Sequence, residues 1–323
     1  MTNLDAPGNH SFSPTPQPRS QRASGQLAID TGLLARLAQV PLVTRRPLEG
    51  SVTGGHRSQR KGFSAEFAEH RDYVAGDDTR YVDWKLYGRS DRFHLKQFED
   101  ETNFTCWLVV DTSESMSYQS STAPVSKIDH ACHAAAALAW VVLRQRDAAG
   151  LVTVADSVVD TIAPSTQPSH LDTLTRTLST IKPSGPTRLG QALGEMARRA
   201  TRPGLVICLT DAFDDLSEVA SGLEQLTWRG HDVACLQIVD PAEMDFPFEE
   251  PTRFVGLENE GDQIVDPRAL GSAYREEFRR FLDETAARCQ SLHIDHHLLR
   301  TDDALSISLP KVLESRRSHR TRV

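Results

Sequence analysis

The chain has 323 residues, with 36 lysines and arginines against 44 aspartates and glutamates, and a formal net charge of −8. Its length and ordinary globular composition allow one large domain with attachments, or two domains. The longest apolar run, Ala134 to Leu143, is about half of the roughly 20 residues that a membrane-spanning helix needs. The polar, Pro/Ser-rich N-terminus does not resemble a secretory signal. We therefore expect a soluble, cytoplasmic protein.

The acidic charge is concentrated in one segment. Between Asp240 and Asp266 there are nine acidic residues and one basic residue, Arg253, so this segment alone carries −8. The rest of the chain is balanced, with arginine-rich ends. An acidic total argues against nonspecific nucleic-acid binding, although the arginine-rich ends leave that alternative open.

The cysteines indicate a reducing compartment. They are odd in number, far apart and mostly within apolar runs, which predicts reduced core thiols instead of disulfides or a zinc site. The five are Cys106, Cys132, Cys208, Cys235 and Cys289.

The apolar pattern divides the chain into four parts. Residues 1–26 lack periodic apolar positions and predict a disordered tail. Residues 27–102 predict an N-terminal helix, over 27–40, followed by a charged and aromatic region. Residues 103–310 predict the main domain, and 311–323 predict a basic C-terminal tail.

Strands and helices alternate through the main domain. Apolar runs predict strands, and 3–4 spacing with capping residues predicts helices. The alternation indicates an α/β fold, a doubly wound and mostly parallel sheet of the Rossmann type with helices on both faces. Strands are predicted at 104–110, 151–155, 158–162, 205–210, 233–239 and 292–299, and helices at 126–146, 170–180, 188–199, 215–228 and from 266 onward.

Two of these strands end in aspartate, Asp111 and Asp211. Ligands bind at the carboxyl ends of strands in such sheets. Asp111, Ser113 and Ser115 offer oxygen atoms at alternate positions of one loop, and Thr187 precedes a predicted helix between the two strands. Oxygen ligands favour Mg²⁺, Mn²⁺ or Ca²⁺. Taken singly, each aspartate could instead end a strand and cap the next turn, and Thr187 could be a helix N-cap.

This arrangement resembles the metal-ion-dependent adhesion site of von Willebrand factor A domains. The resemblance implies that Ser113, Ser115 and Thr187 supply hydroxyl ligands, and that Asp111 and Asp211 bind the metal directly or through water. It also implies a remaining position for a partner's carboxylate. The sequence departs from the family pattern at Pro186, where glycine is usual. A rim that contacts the partner is expected to include Asp214, Asp240 and Glu243.

The region before this domain resembles the signature of the bacterial family called domain of unknown function 58. The resemblance rests on Gly55-His-Arg57, Glu66-Phe67, Gly76-Asp77-Asp78, Asp83-Trp84 and Lys96-x-Phe98-Glu99. It implies a von Willebrand factor A-like domain after the signature and a MoxR-type AAA+ ATPase as partner. The signature region itself favours a salt-bridged scaffold, with partner binding as the alternative.

The sequence therefore predicts a metal-dependent protein–protein interaction module, because no nucleophile and base set or phosphate-binding loop accompanies the metal residues. The alternative is a metal-dependent phosphohydrolase of haloacid-dehalogenase type, which also uses an aspartate after the first strand. That class needs a second aspartate where this chain has Ser113, and a lysine at a strand end. A zinc site at His293, Asp295 and His297 is a further, less favoured alternative to a solvated strand face.

Overall fold

Among the residues that the structure describes, four short elements precede the main sheet. The computed structural model describes residues 27–45, 66–72, 82–90, 92–99, 104–250, 252–255 and 262–320. The predicted tail 1–26 and most of the signature region lie outside these residues. Asp30 caps the first helix by accepting hydrogen bonds from the backbone of its first turn. The elements are α1 (Thr31–Leu37), the antiparallel pair β1 (Glu66–Asp72) and β2 (His94–Glu99), and α2 (Trp84–Ser90) between those strands in sequence.

The buried apolar runs form a six-stranded sheet. The strands after the first pair are β3 (Thr105–Asp111), β4 (Ala148–Val154), β5 (Val158–Ser165), β6 (Leu205–Thr210), β7 (Asp232–Val239), the separate antiparallel pair β8 (Thr252–Val255) and β9 (Asp262–Val265), and β10 (Asp295–Arg300). The order of strands in the sheet is β10-β7-β6-β3-β4-β5, and all neighbours are parallel except β4 and β5. The mostly parallel, doubly wound sheet predicted from the sequence is confirmed.

Helices cover both faces of the sheet. Because successive strand side chains point to opposite faces, Leu108 and Val110 join one hydrophobic cluster and Val109 joins the other. The helices of this domain are α3 (Lys127–Arg144), α4 (His170–Thr180), α5 (Leu189–Arg199), α6 (Leu216–Trp228), α7 (Pro241–Asp245), α8 (Pro267–Ser291) and α9 (Leu305–Arg320). Helices α1, α3, α4 and α9 pack on the first face, and α5, α6 and α8 pack on the second.

Helices α5 and α6 pack closely because both present glycine at their contact. A Cβ atom on Gly190 would lie 2.2 Å from the backbone oxygen of Glu218. A Cβ atom on Gly222 would lie 2.4 Å from the backbone oxygen of Gly190. Only glycine permits this approach, which fixes the start of α5 against α6.

Both ends of the described chain pack onto the main domain. Leu33, Leu37 and Leu42 are buried in the core of the first face, although we assigned residues 27–102 to a separate region. The segment predicted as a basic tail, 311–323, instead continues α9 to Arg320. Arg316 in this helix is 1% exposed, so its charge lies inside the protein.

Arg316 connects the last helix to the sheet and to the N-terminal segment through buried contacts. Its guanidinium donates to the carboxylates of Asp232, at 2.6 Å, and Asp295, and to the carbonyl oxygen of Val43. The side chain of Arg45 also contacts Asp295. These ion pairs connect α9, the N-terminal segment and the β7–β10 edge of the sheet. Asp295 is therefore not part of a solvated strand face or a zinc site, and Arg316 is not available to nucleic acid.

Within the part of the chain that the structure describes, none of the helices is long and apolar enough to cross a bilayer.

Candidate metal site at the carboxyl edge of the sheet

The two aspartates predicted as ligands lie at neighbouring strand ends. Strands β3 and β6 are parallel and paired in register, with Val110 opposite Leu209. The hydroxyl of Thr210 donates a 2.6 Å hydrogen bond to Oδ2 of Asp111. The chain continues from β3 to β4 on one side and later places β6 on the other side of β3. This is the switch point at which open α/β sheets bind ligands.

Asp111 and Asp211 are buried carboxylates that repel one another. They are 1% and 0% exposed. Burial and the negative charge of Asp211 raise the pKa of Asp111 to about 7, although hydrogen bonds from Thr210 and Ser113 act in the opposite direction. A cation bound between these groups would relieve the repulsion.

The loop after β3 gathers hydroxyl groups beside Asp111. The backbone N–H of Ser113 donates to Oδ1 of Asp111 at 2.9 Å. A short 3-10 helix, Glu114–Ser117, follows and turns Ser115 back toward Ser113. Their hydroxyl oxygens lie 3.0 Å apart. Ser113 is fully buried and Ser115 is half-buried, so the open side of this group is at Ser115.

The loop that carries Thr187 packs against the same segment. The N–H of Ser184 donates to the carbonyl oxygen of Thr112 at 2.9 Å, and the N–H of Glu114 donates to that of Gly185 at 3.0 Å. Gly185 has φ +80°, a conformation that suits glycine. Pro186, which departs from the family pattern, does not prevent the contact between this loop and the segment after β3. Thr187 is 7% exposed. The alternative that it caps α5 is wrong, because Arg188 occupies the N-cap position.

The turn after β6 fixes Asp211. Its Oδ1 accepts a hydrogen bond from the N–H of Phe213 at 3.1 Å. Its backbone oxygen accepts one from the side-chain amide of Gln237 at 3.0 Å, and the Gln237 oxygen in turn lies 2.9 Å from Nε2 of His296. Ala212 follows at φ +61°, a conformation that is costly for a residue with a Cβ atom. Such strain is found where the surrounding structure fixes a functional turn.

Lys127 is a residue of this site that the sequence analysis did not identify. Its ammonium donates to Oδ2 of Asp211 at 2.8 Å and to Oε1 of Glu243 at 2.7 Å. It is 1% exposed and lies 4.8 Å from the centre of the Phe213 ring. Burial alone would lower the pKa of Lys127, but the charges of Asp211 and Glu243 outweigh burial and raise it. The lysine is therefore a buried cation in contact with a candidate metal ligand.

The signal for Lys127 in the sequence is its position at the start of a helix. Lys127 is the first residue of α3, directly after the N-cap Ser126. Cations are disfavoured at a helix N-terminus by the helix dipole, so a buried lysine there requires acidic partners. Those partners come from residues 84 and 116 positions away, and local periodicity cannot reveal them.

The predicted partner-binding rim differs from the structure. Asp240 is 0% exposed, accepts hydrogen bonds from the N–H groups of Ala242 and Ser120, and forms a capping box with Glu243. It is therefore unavailable to a partner. Glu243 binds Lys127 and does not lie free on a rim. Asp214 is half-buried, and its Oδ2 accepts no hydrogen bond among the described residues.

The residue set fits a hard cation with hydroxyl ligands. Two carboxylates and three hydroxyl-bearing residues come from loops that contact one another. Among the described residues, no three or more His, Cys, Asp or Glu side chains are grouped to hold a metal. A cation here would thus depend on the hydroxyl groups of Ser113, Ser115 and Thr187, as a hard ion such as Mg²⁺ permits.

Comparison with protein families gives one match across most of the chain. The family model described as "Protein of unknown function DUF58" matches residues 69–288. Uncharacterized proteins of Mycobacterium tuberculosis and Mycobacterium bovis are 27% identical over 255 residues, which is 78% of this chain and 78% of theirs. These descriptions name no activity.

Two solved structures show a general likeness. One is the conserved hypothetical protein BatB from Bacteroides thetaiotaomicron, with 16% identity and a TM-score of 0.43. The other is an aerotolerance-related membrane protein from Bacteroides fragilis, with 15% identity and a TM-score of 0.45. Each likeness covers 68% of this chain and all of the other chain.

Proposed function

The chain belongs to the DUF58 family, and we propose that it is a metal-dependent protein-binding module that captures a partner's carboxylate at a Mg²⁺ ion. The observation that supports this proposal most strongly is the convergence of Asp111, Ser113 and Asp211 at the ends of two neighbouring strands. These side chains are buried and close together. We expect Mn²⁺ or Ca²⁺ to substitute for Mg²⁺.

The charges of the proposed ligands suit capture of a carboxylate. Ser113, Ser115 and Thr187 would contribute neutral hydroxyl oxygens, and Asp111 and Asp211 together balance a divalent ion. Five protein oxygens would leave a six-coordinate ion with one open position, which a partner's carboxylate oxygen would fill. Ser115, the most accessible of the group, marks the side from which a partner's Asp or Glu would approach.

We propose a MoxR-type AAA+ ATPase as the partner and the cytoplasm as the location. The test is binding of the purified full-length chain to a MoxR-type ATPase of the same organism, measured by biolayer interferometry with Mg²⁺ and with excess chelator. We expect the wild type to bind the ATPase with Mg²⁺ and to lose binding with chelator. The Asp111→Ala variant is expected to lose binding even with Mg²⁺. Glu114→Gln is the matched control, because Glu114 is an exposed carboxylate in the same loop. Equal binding with and without Mg²⁺ would contradict the proposal.

A metal-dependent phosphohydrolase is the second candidate. Lys127 favours it, because that class needs a lysine beside its carboxylates and Lys127 Nζ lies 2.8 Å from Asp211. Ser113 still occupies the place of the general acid, and the lysine charge is shared by two carboxylates. Hydrolysis of p-nitrophenyl phosphate that requires Mg²⁺ and disappears in Asp111→Asn would favour this candidate over protein binding.

A further inference from the structure

The ammonium of Lys127 contacts Asp211, one of the two carboxylates proposed as metal ligands. Oδ1 of Asp211 already accepts from the N–H of Phe213, and Oδ2 accepts from the Lys127 ammonium. Both charged groups are almost fully buried, at 0% and 1% exposure. In such surroundings charges interact much more strongly than in water, because little solvent screens them.

The lysine is held at this position against two opposing effects. It loses hydration by burial, and it lies at the N-terminus of an 18-residue helix, where the dipole repels a cation. Its contacts with Asp211, Glu243 and the Phe213 ring offset these costs. The second carboxylate, Glu243, is 13% exposed and gives the ammonium an anchor other than Asp211.

We propose that Lys127 is a tethered counter-ion that competes with the divalent cation for Asp211 and so lowers the metal affinity of the site. This inference rests on the proposed function, because it concerns the same site. Glu243 opposes the effect by drawing the ammonium away from Asp211. A partner's carboxylate bound at the ion adds negative charge close to Lys127, which offsets the repulsion between the lysine and the ion. Metal and partner therefore bind more tightly together than either does alone.

The competition can be measured with the metal alone. Isothermal titration calorimetry with Mn²⁺ is applied to the full-length wild type, Lys127→Met, Glu243→Gln and Asp111→Ala. Lys127→Met keeps the length of the side chain and removes the charge, so the Mn²⁺ affinity is expected to rise about tenfold or more. Glu243→Gln leaves Lys127 with Asp211 alone, so the affinity is expected to fall several-fold. Lys182→Met, the loss of an exposed lysine, is the matched control and is expected to change nothing.

The outcomes separate this inference from the proposed function. If the wild type binds Mn²⁺, Asp111→Ala abolishes binding, and Lys127→Met binds equally or more weakly, the competition is contradicted and the metal site stands. If neither the wild type nor Lys127→Met binds Mn²⁺, both proposals are wrong. If Lys127→Met does not fold by circular dichroism, Glu243→Gln decides, and an affinity equal to or above the wild type overturns the inference.

Discussion

Thr210 connects the two strand ends of the candidate site, since its hydroxyl donates to Asp111 at 2.6 Å and accepts from the N–H of Ala212 at 2.9 Å. It is 1% exposed, so water cannot replace these partners. Thr210→Val keeps the shape and removes both bonds. We expect the free energy of unfolding to fall by about 1–3 kcal/mol, measured by urea denaturation. Thr210→Ser keeps the hydroxyl, so its free energy of unfolding should fall less. An equal fall in the two variants would contradict this role of the hydroxyl.

Gly190 is expected to be the least replaceable glycine of α5. A Cβ atom would lie 2.2 Å from the Glu218 backbone, so Gly190→Ala must move α5 away from α6, at a cost of about 1–3 kcal/mol. Thr187 precedes this helix, and Mn²⁺ affinity should fall as well. Gly194→Ala, in the same helix, meets only the flexible Gln225 side chain and should be tolerated. Similar thermal stability of the two variants would argue against the close contact.

Arg316 is expected to be essential for stability. Arg316→Met leaves the buried carboxylates of Asp232 and Asp295 without their main cation, and removal of one partner of a buried ion pair costs about 3–5 kcal/mol. The exposed neighbour Arg317 is the control, and Arg317→Met should be close to neutral by the same denaturation measurement. Deletion of residues 311–323 should prevent folding, whereas deletion of an unstructured tail would leave folding unchanged.

Asp147 is expected to make stability depend on pH. Burial raises its pKa to about 7, although the N–H of Phe104 donates to it. A carboxyl group whose pKa is raised by folding stabilises the protein most at low pH, and this contribution is lost as pH rises from about 4 to about 7. Asp147→Asn remains neutral and can still accept from Phe104. It should gain about 1–3 kcal/mol relative to wild type between pH 5 and pH 8. The exposed Asp160→Asn should show no such gain.

The acidic segment 240–266 is expected to affect association rate. Its exposed carboxylates Glu249 and Glu250 would attract a basic partner surface, which changes association more than dissociation. Glu249→Gln/Glu250→Gln should slow association with the ATPase, and the difference should shrink at high salt. An association rate equal to that of the wild type at low salt would contradict a role of this segment in binding.

Local sequence patterns were sufficient for the fold. The strand 205–210 and the helix 170–180 have the predicted bounds, because apolar periodicity and caps are properties of neighbouring residues. The strand predicted at 292–299 begins three residues later, at Asp295, because α8 extends to Ser291 and His293 turns with φ +57°. The left-handed conformation of His293 cannot be read from the pattern of apolar residues.

Contacts between distant residues were not predictable in the same way. The convergence of Asp111 and Asp211 was expected from strand order in parallel sheets, but the Lys127 contacts depend on where α3 and α7 meet the sheet edge. Arg316 likewise looked like one of several surface arginines, because its carboxylate partners are 84 and 21 positions away. Side-chain partners at such distances require the three-dimensional packing.

The contact between Arg316 and Val43 joins residues 273 positions apart in sequence. A ribosome releases the N-terminal segment long before it makes α9. The packing of Leu33, Leu37 and Leu42 in the first-face core is therefore completed only after α9 has been synthesised. In the folded protein the last helix therefore completes the packing of the first.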